Sequence, residues 1–210
     1  VDVCPTGALE CTGRDTTVEE AVTEASKDKL YYRNSGGGVT LSGGEPLYQG
    51  EFALNLLKGC KERAMDTALD TSLYAPWDVI DRLLGYVDLV LCDIKHLDSE
   101  MHRVGTGVGN ELILENLEKI AKKKRVWVRI PLIPDYNDSE QHIKEVAEFL
   151  SENPVEKVSL LPYHEYGKPK YEFLGIDYPL KGDNLIISED KLESLQNIIE
   201  PYKIPVTLRY

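Results

Sequence analysis

The stretch VTLSGGEP, residues 39–46, is a short β-like run that ends in two glycines, a carboxylate and a proline. A helical pattern follows from about residue 50, so the stretch predicts a strand, a turn and a helix. Gly43 and Gly44 lack a Cβ, which lets a ligand approach the backbone closely. Pro46 suits the first helical position because no needed donor is lost there. We therefore expect this turn to bind a ligand.

The alternation of strand and helix patterns continues along the rest of the chain. A capping-box sequence at 17–20 also predicts a helix before the first strand. Helices are predicted at about 50–63, 76–84, 110–124, 139–151 and 189–200. Strands are predicted at 39–42, 66–70, 89–93, 126–131, 158–161 and 205–209. This βαβα order predicts an α/β fold, with a parallel sheet that is either curled into a barrel or wound open.

Charge and hydropathy exclude some classes of partner. The net charge is -12, from 24 basic and 36 acidic residues in 210, which argues against nucleic acid. The one basic run, at 122–125, lies at a predicted helix end and complements the helix dipole. No apolar run reaches the roughly 20 residues that span a bilayer, and no signal peptide opens the sequence. We expect a cytoplasmic protein with no membrane partner.

Four cysteines, at 4, 11, 60 and 92, form no CxxC pair. Reduced thiols in an intracellular protein are the simplest interpretation. Cys60 and Cys92 fit small buried apolar side chains.

Polar residues follow the predicted strands at their carboxyl ends, where parallel α/β proteins form their sites. Strand alternation turns Arg129 away from the apolar face of its strand, and it places Asp93 and Lys95 together. Each residue alone fits a helix cap or a structural ion pair, but five strand ends of five carry such groups. The predicted site comprises Ser42, Gly43, Gly44, Glu45, Asp70, Thr71, Asp93, Lys95, Arg129 and His164.

The predicted site carries both signs of charge around one small mouth. Three carboxylates, two cations and a histidine suit a zwitterionic ligand better than a phosphate. A glycine turn after a strand often binds phosphate, but the acidic Glu45 argues against it here.

Several longer motifs resemble the activating enzymes of glycyl radical enzymes, in the radical S-adenosylmethionine (SAM) superfamily. These are SGGEPL, LDTS, LVLCDIKHLD, VRIPLIPDYND and LLPYHEYGKPKYEFLG. They occur in family order over residues 31–210, and pyruvate formate-lyase activase is the best-known member. The resemblance implies a partial, TIM-like parallel β/α barrel of about six strands that lacks the first strand with its cluster loop.

The resemblance also implies residue roles. The segment 43–46 matches the one that binds the methionine amino group of SAM. Asp70, Thr71 and Asp93 match residues near the methionine moiety, where Asp70 and Asp93 can hold a monovalent cation. Lys95, Arg129 and His164 match polar contacts to the carboxylate, ribose or adenine of the cofactor.

Two departures from the family pattern stand out. The CxxxCxxC motif that holds the family's [4Fe–4S] cluster is absent, so we expect no cluster and no catalytic residue in this chain. Cys4 resembles the last ligand of a ferredoxin-type run, and residues 1–16 are interpreted as a remnant of such a cluster insert, before a partial barrel at 17–210. Leu73 stands where the family often has glycine, and it either alters the loop above the cofactor or repacks it.

The implied function is the cofactor-binding portion of a radical SAM activase, an oxidoreductase of anaerobic metabolism. In the intact protein, reductive cleavage of SAM would yield a 5′-deoxyadenosyl radical that abstracts hydrogen from a glycine of a partner lyase. The implied partners are a glycyl radical lyase, dehydratase or decarboxylase, and an electron donor such as flavodoxin or ferredoxin. We also expect self-association through the edge of strand 39–42.

Two alternatives remain open at this stage. An α/β-barrel enzyme could use Lys95 as a Schiff-base nucleophile with Asp93 as the base. The chain could instead be a module that docks onto the lyase.

Overall fold

In the computed structural model, which describes residues 5–6, 13–180 and 185–208, a parallel sheet organises the chain. Six strands pair in the order in which they follow one another in sequence. They are β1 (Gly38–Leu41), β2 (Asp66–Thr71), β3 (Leu89–Asp93), β4 (Arg125–Leu132), β5 (Lys157–Pro162) and β6 (Val206–Thr207). The sheet is a partial β/α barrel with β1 and β6 at its edges, so the predicted fold class is confirmed.

Helices connect the strands, as the alternating pattern predicts. They are α1 (Val18–Ser26), α2 (Lys29–Ser35), α3 (Gly50–Glu62), α4 (Trp77–Leu84), α5 (Ser99–Thr106), α6 (Glu111–Ala121), α7 (Glu140–Glu152), α8 (Lys168–Leu174) and α9 (Glu189–Ile199). Short 3-10 turns lie at Pro46–Gln49, Glu165–Gly167 and Glu200–Tyr202. Within the described ranges, no helix combines the length and apolar character needed to cross a bilayer.

Helix ends follow local sequence chemistry. The predicted capping box is confirmed, because the Glu20 amide donates to Thr17 Oγ1 at 3.2 Å and the Thr17 amide donates to Glu20 Oε2 at 2.7 Å. At α7 and α9 the cap is a single hydrogen bond, which the side chains of Ser139 and Ser188 accept from the amides of His142 and Lys191.

The core lies between the sheet and its helices. On β4, Val126, Val128 and Ile130 are fully buried and face the helices, while Arg129 points to the opposite, concave face. Period-two alternation therefore assigns the faces of β4 as predicted. The charged residues of the concave face are collected at one end of the sheet, where the site forms.

Among the described residues, four non-glycine residues adopt left-handed backbone conformations, namely Ala64, Leu73, Asp135 and Lys203, and the environments of Leu73 and Asp135 differ. Leu73 has φ +62° and is 0% exposed, packed in the main apolar core. Asp135 has φ +61° and is exposed in the loop after β4. At Leu73 the core therefore repacks around a bulky side chain, because packing offsets the backbone strain.

Glycine substitutions at Asp135 and Leu73 should therefore change the free energy of unfolding in opposite directions. Asp135→Gly relieves left-handed strain without removing a packed side chain, so we expect the free energy of unfolding to rise by about 0.5 kcal/mol. Leu73→Gly relieves similar strain but leaves a core cavity, and we expect a loss of about 3 kcal/mol. Urea unfolding of both variants measures the two changes, and a gain from Leu73→Gly would contradict the packing argument.

Buried His142 stacks on partly exposed His96, which lies in the loop after β3. His142 is 4% exposed and stacks on His96 with ring centroids 4.2 Å apart. Neither ring nitrogen of His142 has a hydrogen-bond partner among the described residues. Burial, and to a lesser extent the charge of His96, lowers the pKa of His142 to about 4.

The depressed pKa predicts an acid-sensitive contribution to stability. An unfolded histidine has a pKa of about 6.5, so the unfolded chain takes up this proton first as the pH falls. The free energy of unfolding should then decline between about pH 6.5 and pH 4, by about 3 kcal/mol for this group. In His142→Phe this part of the decline is expected to disappear, as urea unfolding across that range would measure. Parallel pH profiles for the two proteins would contradict the assignment.

Candidate functional site

The carboxyl ends of β2, β3 and β4 bring four predicted charged residues into one cluster. The guanidinium of Arg129 donates to Asp70 Oδ1 at 2.5 Å and to Asp93 Oδ1 at 2.7 Å. The second oxygen of Asp93 accepts from the ammonium of Lys95 at 2.6 Å. Ser42, directly after β1, donates to Asp70 Oδ2 at 2.8 Å. We call Asp70, Asp93, Lys95 and Arg129 the charge cluster.

The register of the sheet explains this assembly. Asp93 on β3 is the direct parallel partner of Arg129 on β4, so their side chains project from neighbouring strands on the same face. Asp70 lies one strand further, on the same concave face of β2. The long, planar guanidinium spans both gaps, and its several N–H groups bind two carboxylates at once.

The electrostatics of the charge cluster are those of a partly buried ion network. The side chain of Arg129 is 17% exposed, and those of Asp70 and Asp93 are 19% and 22% exposed. Burial opposes the charge of Arg129, but the carboxylates of Asp70 and Asp93 outweigh it and raise the pKa of the guanidinium. Two positive and two negative charges balance, so the network can exchange partners with a ligand of both signs.

Glu45 does not join the charge cluster, which differs from the simple ring of charges that the sequence suggests. Its Oε1 accepts from the Leu47 amide at 3.1 Å and from the Thr71 hydroxyl at 2.7 Å. Its Oε2 accepts from both the amide and the hydroxyl of Ser72, at 2.8 and 2.5 Å. The carboxylate is fully occupied by protein donors, so it ties the turn after β1 to the loop after β2.

The glycine turn is open on the side where a side chain would stand. Gly43 and Gly44 have φ +86° and +51°, which L side chains rarely adopt. Apart from the glycine itself and its two sequence neighbours, no atom of the described residues lies within 4 Å of the position that a Cβ would take at either residue. The backbone at this turn is therefore accessible, as the motif predicts for close approach of a ligand.

His164 lines a cleft together with three residues of the charge cluster. The cleft, of about 360 Å³, is lined by Asp70, Asp93 and Arg129, by Pro131 at the end of β4, and by residues after β4 and β5 that include Ile133, Tyr163 and His164. The His164 ring accepts from the Tyr166 amide at 3.3 Å and packs against the Tyr166 ring. Its exposed edge faces solvent, which leaves it available to a ligand.

Thr71 does not line the cleft, and Arg129 lies between the two aspartates of the predicted cation site. Thr71 is 4% exposed and its hydroxyl faces Glu45, so its side chain serves the turn rather than the cleft. Between Asp70 and Asp93 lies the Arg129 guanidinium. Across the described ranges, no cluster of three or more His, Cys, Asp or Glu side chains suits a metal ion. A monovalent cation at these aspartates stays a prediction.

The described cysteines do not face the site. Cys60 and Cys92 are each 1% exposed, and burial raises the pKa of both thiols. Cys92 lies on the helix-facing side of β3, opposite Asp93. Both therefore act as apolar side chains, as predicted. Cys4 and most of the interpreted 1–16 segment lie outside the described residues.

One contributor was missed from the sequence. Ser72 donates two hydrogen bonds to Glu45, although it is not among the predicted site residues. Its position directly after a strand end was the available signal, since hydroxyl groups there often bind neighbouring turns.

Comparison with known proteins agrees with the family resemblance of the sequence motifs. Residues 3–150 match the radical SAM superfamily. The choline trimethylamine-lyase activating enzyme of Oleidesulfovibrio alaskensis is 42% identical over 209 residues, which cover 97% of this chain and 67% of that protein. The (2S)-3-sulfopropanediol dehydratase activating enzyme of Klebsiella oxytoca is 42% identical over 181 residues, covering 84% and 57%. The chain thus spans 57% to 67% of the length of these relatives.

Solved structures share the fold. A crystal structure of a domain of pyruvate-formate lyase-activating enzyme from Bacteroides vulgatus has a TM-score of 0.70 and 34% identity. The match covers 83% of this chain and 99% of that one. SuiB of Streptococcus suis, bound to S-adenosylmethionine, has a TM-score of 0.67 at 17% identity and shares the fold alone. The chain belongs to the radical SAM superfamily, among the activating enzymes of glycyl radical enzymes.

Proposed function

We propose that this chain is the SAM-binding portion of an activating enzyme for a glycyl radical enzyme. The observation that carries the proposal is the charge cluster beside the open glycine turn. A methionine head group offers a carboxylate to Arg129 or Lys95 and an amino group to Asp70 or to the carbonyl groups of the turn. The family to which the chain belongs uses a cofactor with this head group.

The residues fit SAM, and they do not fit an iron–sulfur cluster. When bound together in a whole activating enzyme, SAM and a reduced [4Fe–4S] cluster supply the radical chemistry. This chain would bind and orient SAM through the charge cluster, the glycine turn and His164. A [4Fe–4S] cluster needs several thiolates at one site. The described cysteines are buried singly, and CxxxCxxC does not occur in the sequence.

The proposed macromolecular partner is a glycyl radical lyase, dehydratase or decarboxylase. The support is that relatives are activating enzymes for choline trimethylamine-lyase, sulfopropanediol dehydratase and 4-hydroxyphenylacetate decarboxylase. An electron donor such as flavodoxin or ferredoxin, and a cytoplasmic location, belong to the same proposal.

The test has two arms. Titration calorimetry of SAM into the chain is expected to show one site, and methionine is expected to compete for it. Under dithionite without added iron, the chain alone is expected to release no 5′-deoxyadenosine. If SAM does not bind, the proposed cofactor site is wrong. If the chain alone cleaves SAM, the proposal that the [4Fe–4S] cluster is not held by this chain is wrong.

The Schiff-base alternative is less well supported by the geometry. The Lys95 ammonium forms a 2.6 Å ion pair with Asp93, whereas Schiff-base formation needs a neutral amine. Borohydride trapping of a carbonyl compound on Lys95 would favour that alternative. A docking module alone does not require so elaborate a charge cluster, and a pull-down with a glycyl radical enzyme by the Arg129→Met variant as readily as by wild type would favour it.

The edge strand β1 carries a prediction about association. In the described part of the chain β1 pairs on one side only, with β2. Such an edge exposes unpaired N–H and C=O groups to another chain. We expect the elution volume in size-exclusion chromatography to fall with rising concentration, and Thr40→Lys to reduce this effect by placing charge on the edge. A concentration-independent monomer would contradict this prediction.

A further inference from the structure

Three buried asparagines share an arrangement that charged motifs do not reveal. Asn110, Asn116 and Asn137 are 3%, 0% and 0% exposed. In each, the side-chain NH₂ group donates to two backbone carbonyl oxygens in the loops after the strands. We call these three residues the asparagine clamps.

Asn116, on α6, holds the loop after β2. Its Nδ2 lies 2.9 Å from the carbonyl oxygens of both Leu73 and Ala75. Thr71, the last residue of β2, and Ser72, the first residue of this loop, both donate to the carboxylate of Glu45, which follows the glycine turn. Leu73, the residue that Asn116 grips, is the one with a left-handed backbone. The clamp therefore acts at the point where this loop is strained.

Asn137, in the loop after β4, joins two strand ends. Its Nδ2 donates to the carbonyl oxygens of Lys95 and Pro131, each at 2.8 Å. Its Oδ1 accepts from the Ile133 amide at 2.7 Å. The backbone of Lys95, whose ammonium pairs with Asp93, is thereby tied to the end of β4.

Asn110, at the start of α6, completes the set. Its Nδ2 donates to the carbonyl oxygens of His96 and Leu97, at 2.8 and 2.6 Å. Asn137 and Asn110 thus donate to the carbonyl oxygens of three consecutive residues after β3, Lys95 for Asn137 and His96 and Leu97 for Asn110.

An asparagine suits this role better than other small side chains. Only an NH₂ group can face two carbonyl oxygens and donate to both, while a carboxylate there would repel them. Buried carbonyl groups left without donors are costly, so removal of a clamp should open its loop.

We propose that Asn116 and Asn137 are positioning residues of the cofactor site, each acting on its own loop. Asn116 positions the loop after β2, which holds the glycine turn through Glu45. Asn137 positions Lys95 and the end of β4, and through them the charge cluster. The inference rests on the proposed function because it takes these loops to be those that hold SAM.

Asn153 is a matched control that distinguishes a positioning role of Asn116 and Asn137 from a contribution to stability alone. Asn153 is 5% exposed and donates to the Phe149 carbonyl oxygen at the end of α7, away from the site loops. Asn153→Ala removes the same side-chain atoms as Asn116→Ala or Asn137→Ala. If asparagines only add stability, all three variants should behave alike once their stabilities are matched.

The first arm measures local opening by amide hydrogen exchange on the full chain without ligand. Asn137→Ala is expected to reduce protection at least about tenfold at 94–97 and 131–137, with 71–76 unchanged. Asn116→Ala should show the reverse pattern, and Asn153→Ala should change neither region. Uniform loss of protection across the chain, or no local change, would overturn the proposal.

The second arm measures SAM affinity at a temperature where every variant is folded. Asn116→Ala and Asn137→Ala are expected to weaken binding at least about tenfold, while Asn153→Ala stays within about twofold. If wild type does not bind SAM, the proposed function fails while the exchange arm still judges the clamps. Loop opening with unchanged affinity would overturn the positioning role.

A folding failure is also informative. If Asn137→Ala does not fold, Asn137→Ser, which is uncharged and can donate only one hydrogen bond, replaces it in both arms. If neither variant folds, Asn137 is a general determinant of stability and its assignment as a positioning residue is overturned.

Discussion

Arg129→Met is expected to lower the free energy of unfolding by about 2–4 kcal/mol and to weaken SAM binding at least about tenfold. The substitution keeps much of the side-chain length but removes the guanidinium donors to Asp70 and Asp93, which leaves Ser42 as the donor to Asp70 and Lys95 as the donor to Asp93. Two carboxylates that are only 19% and 22% exposed would then face each other without a cation between them. Unpaired, partly buried charge costs more than the loss of a surface ion pair.

The matched control lies on the same strand and face. Arg125 makes a two-bond ion pair with Glu156, with both distances 2.9 Å, but its side chain is 60% exposed. Arg125→Met is expected to cost less than about 1 kcal/mol and to leave SAM affinity unchanged. Urea unfolding and calorimetry measure both proteins. Equal effects of the two substitutions would show that burial of the charge cluster does not decide its contribution.

A compensating change tests the cause of the loss. Adding Asp70→Asn and Asp93→Asn to Arg129→Met removes the facing charges and should recover most of the stability but none of the affinity. If stability does not recover, repulsion between the carboxylates is not the reason for the loss.

Glu45→Gln is expected to lower the free energy of unfolding by about 2–4 kcal/mol, although it changes one atom type. Both carboxylate oxygens accept two hydrogen bonds from protein donors. In either orientation, a glutamine amide would direct its NH₂ group at two of those donors. The turn after β1 should then separate from the loop after β2, and SAM affinity should fall with it.

Glu51→Gln is the control for the loss of a carboxylate. Glu51 pairs with Arg82 at 2.6 Å on the surface, with side chains 71% and 55% exposed. Its replacement should change stability by less than about 0.5 kcal/mol. The same urea titration serves both variants. A Glu45→Gln protein as stable as the control would contradict the assignment of Glu45 as the tie between the two loops.

Local patterns predicted the sheet and the charged half of the site. Alternation on β4 alone was enough to turn Arg129 toward the cleft, because a strand with one buried face has only one register for its apolar residues. Helices α2, α5 and α8 have no counterpart among the predicted helices, since α2 is only seven residues long, α5 contains a glycine, and α8 is also seven residues long and contains a proline. Short helices of this kind depend on tertiary contacts.

The hydrogen bonds that join the loops of the site could not be predicted from local patterns. Glu45 meets Thr71 and Ser72 across 26 and 27 residues of sequence, and Asn116 reaches back 43 residues to Leu73. No local period marks such pairs, because the polar side chain sits inside an otherwise ordinary helix or turn. Local charge for that reason predicts Glu45 only as a ligand-binding acid, and the hydrogen bonds that its carboxylate accepts from Leu47, Thr71 and Ser72 become visible only in the fold.

The order of the strands also bears on how the chain can fold during synthesis. Because each strand pairs with the one before it in sequence, the sheet can grow one unit at a time as the ribosome releases the chain. Asp70 and Asp93 emerge well before Arg129 does. A nascent chain that ends before β4 therefore carries Asp70 without its cationic partner, while Asp93 already has Lys95. The arrival of β4 brings the Arg129 guanidinium that pairs with both carboxylates, and β5 then adds His164 to the binding site.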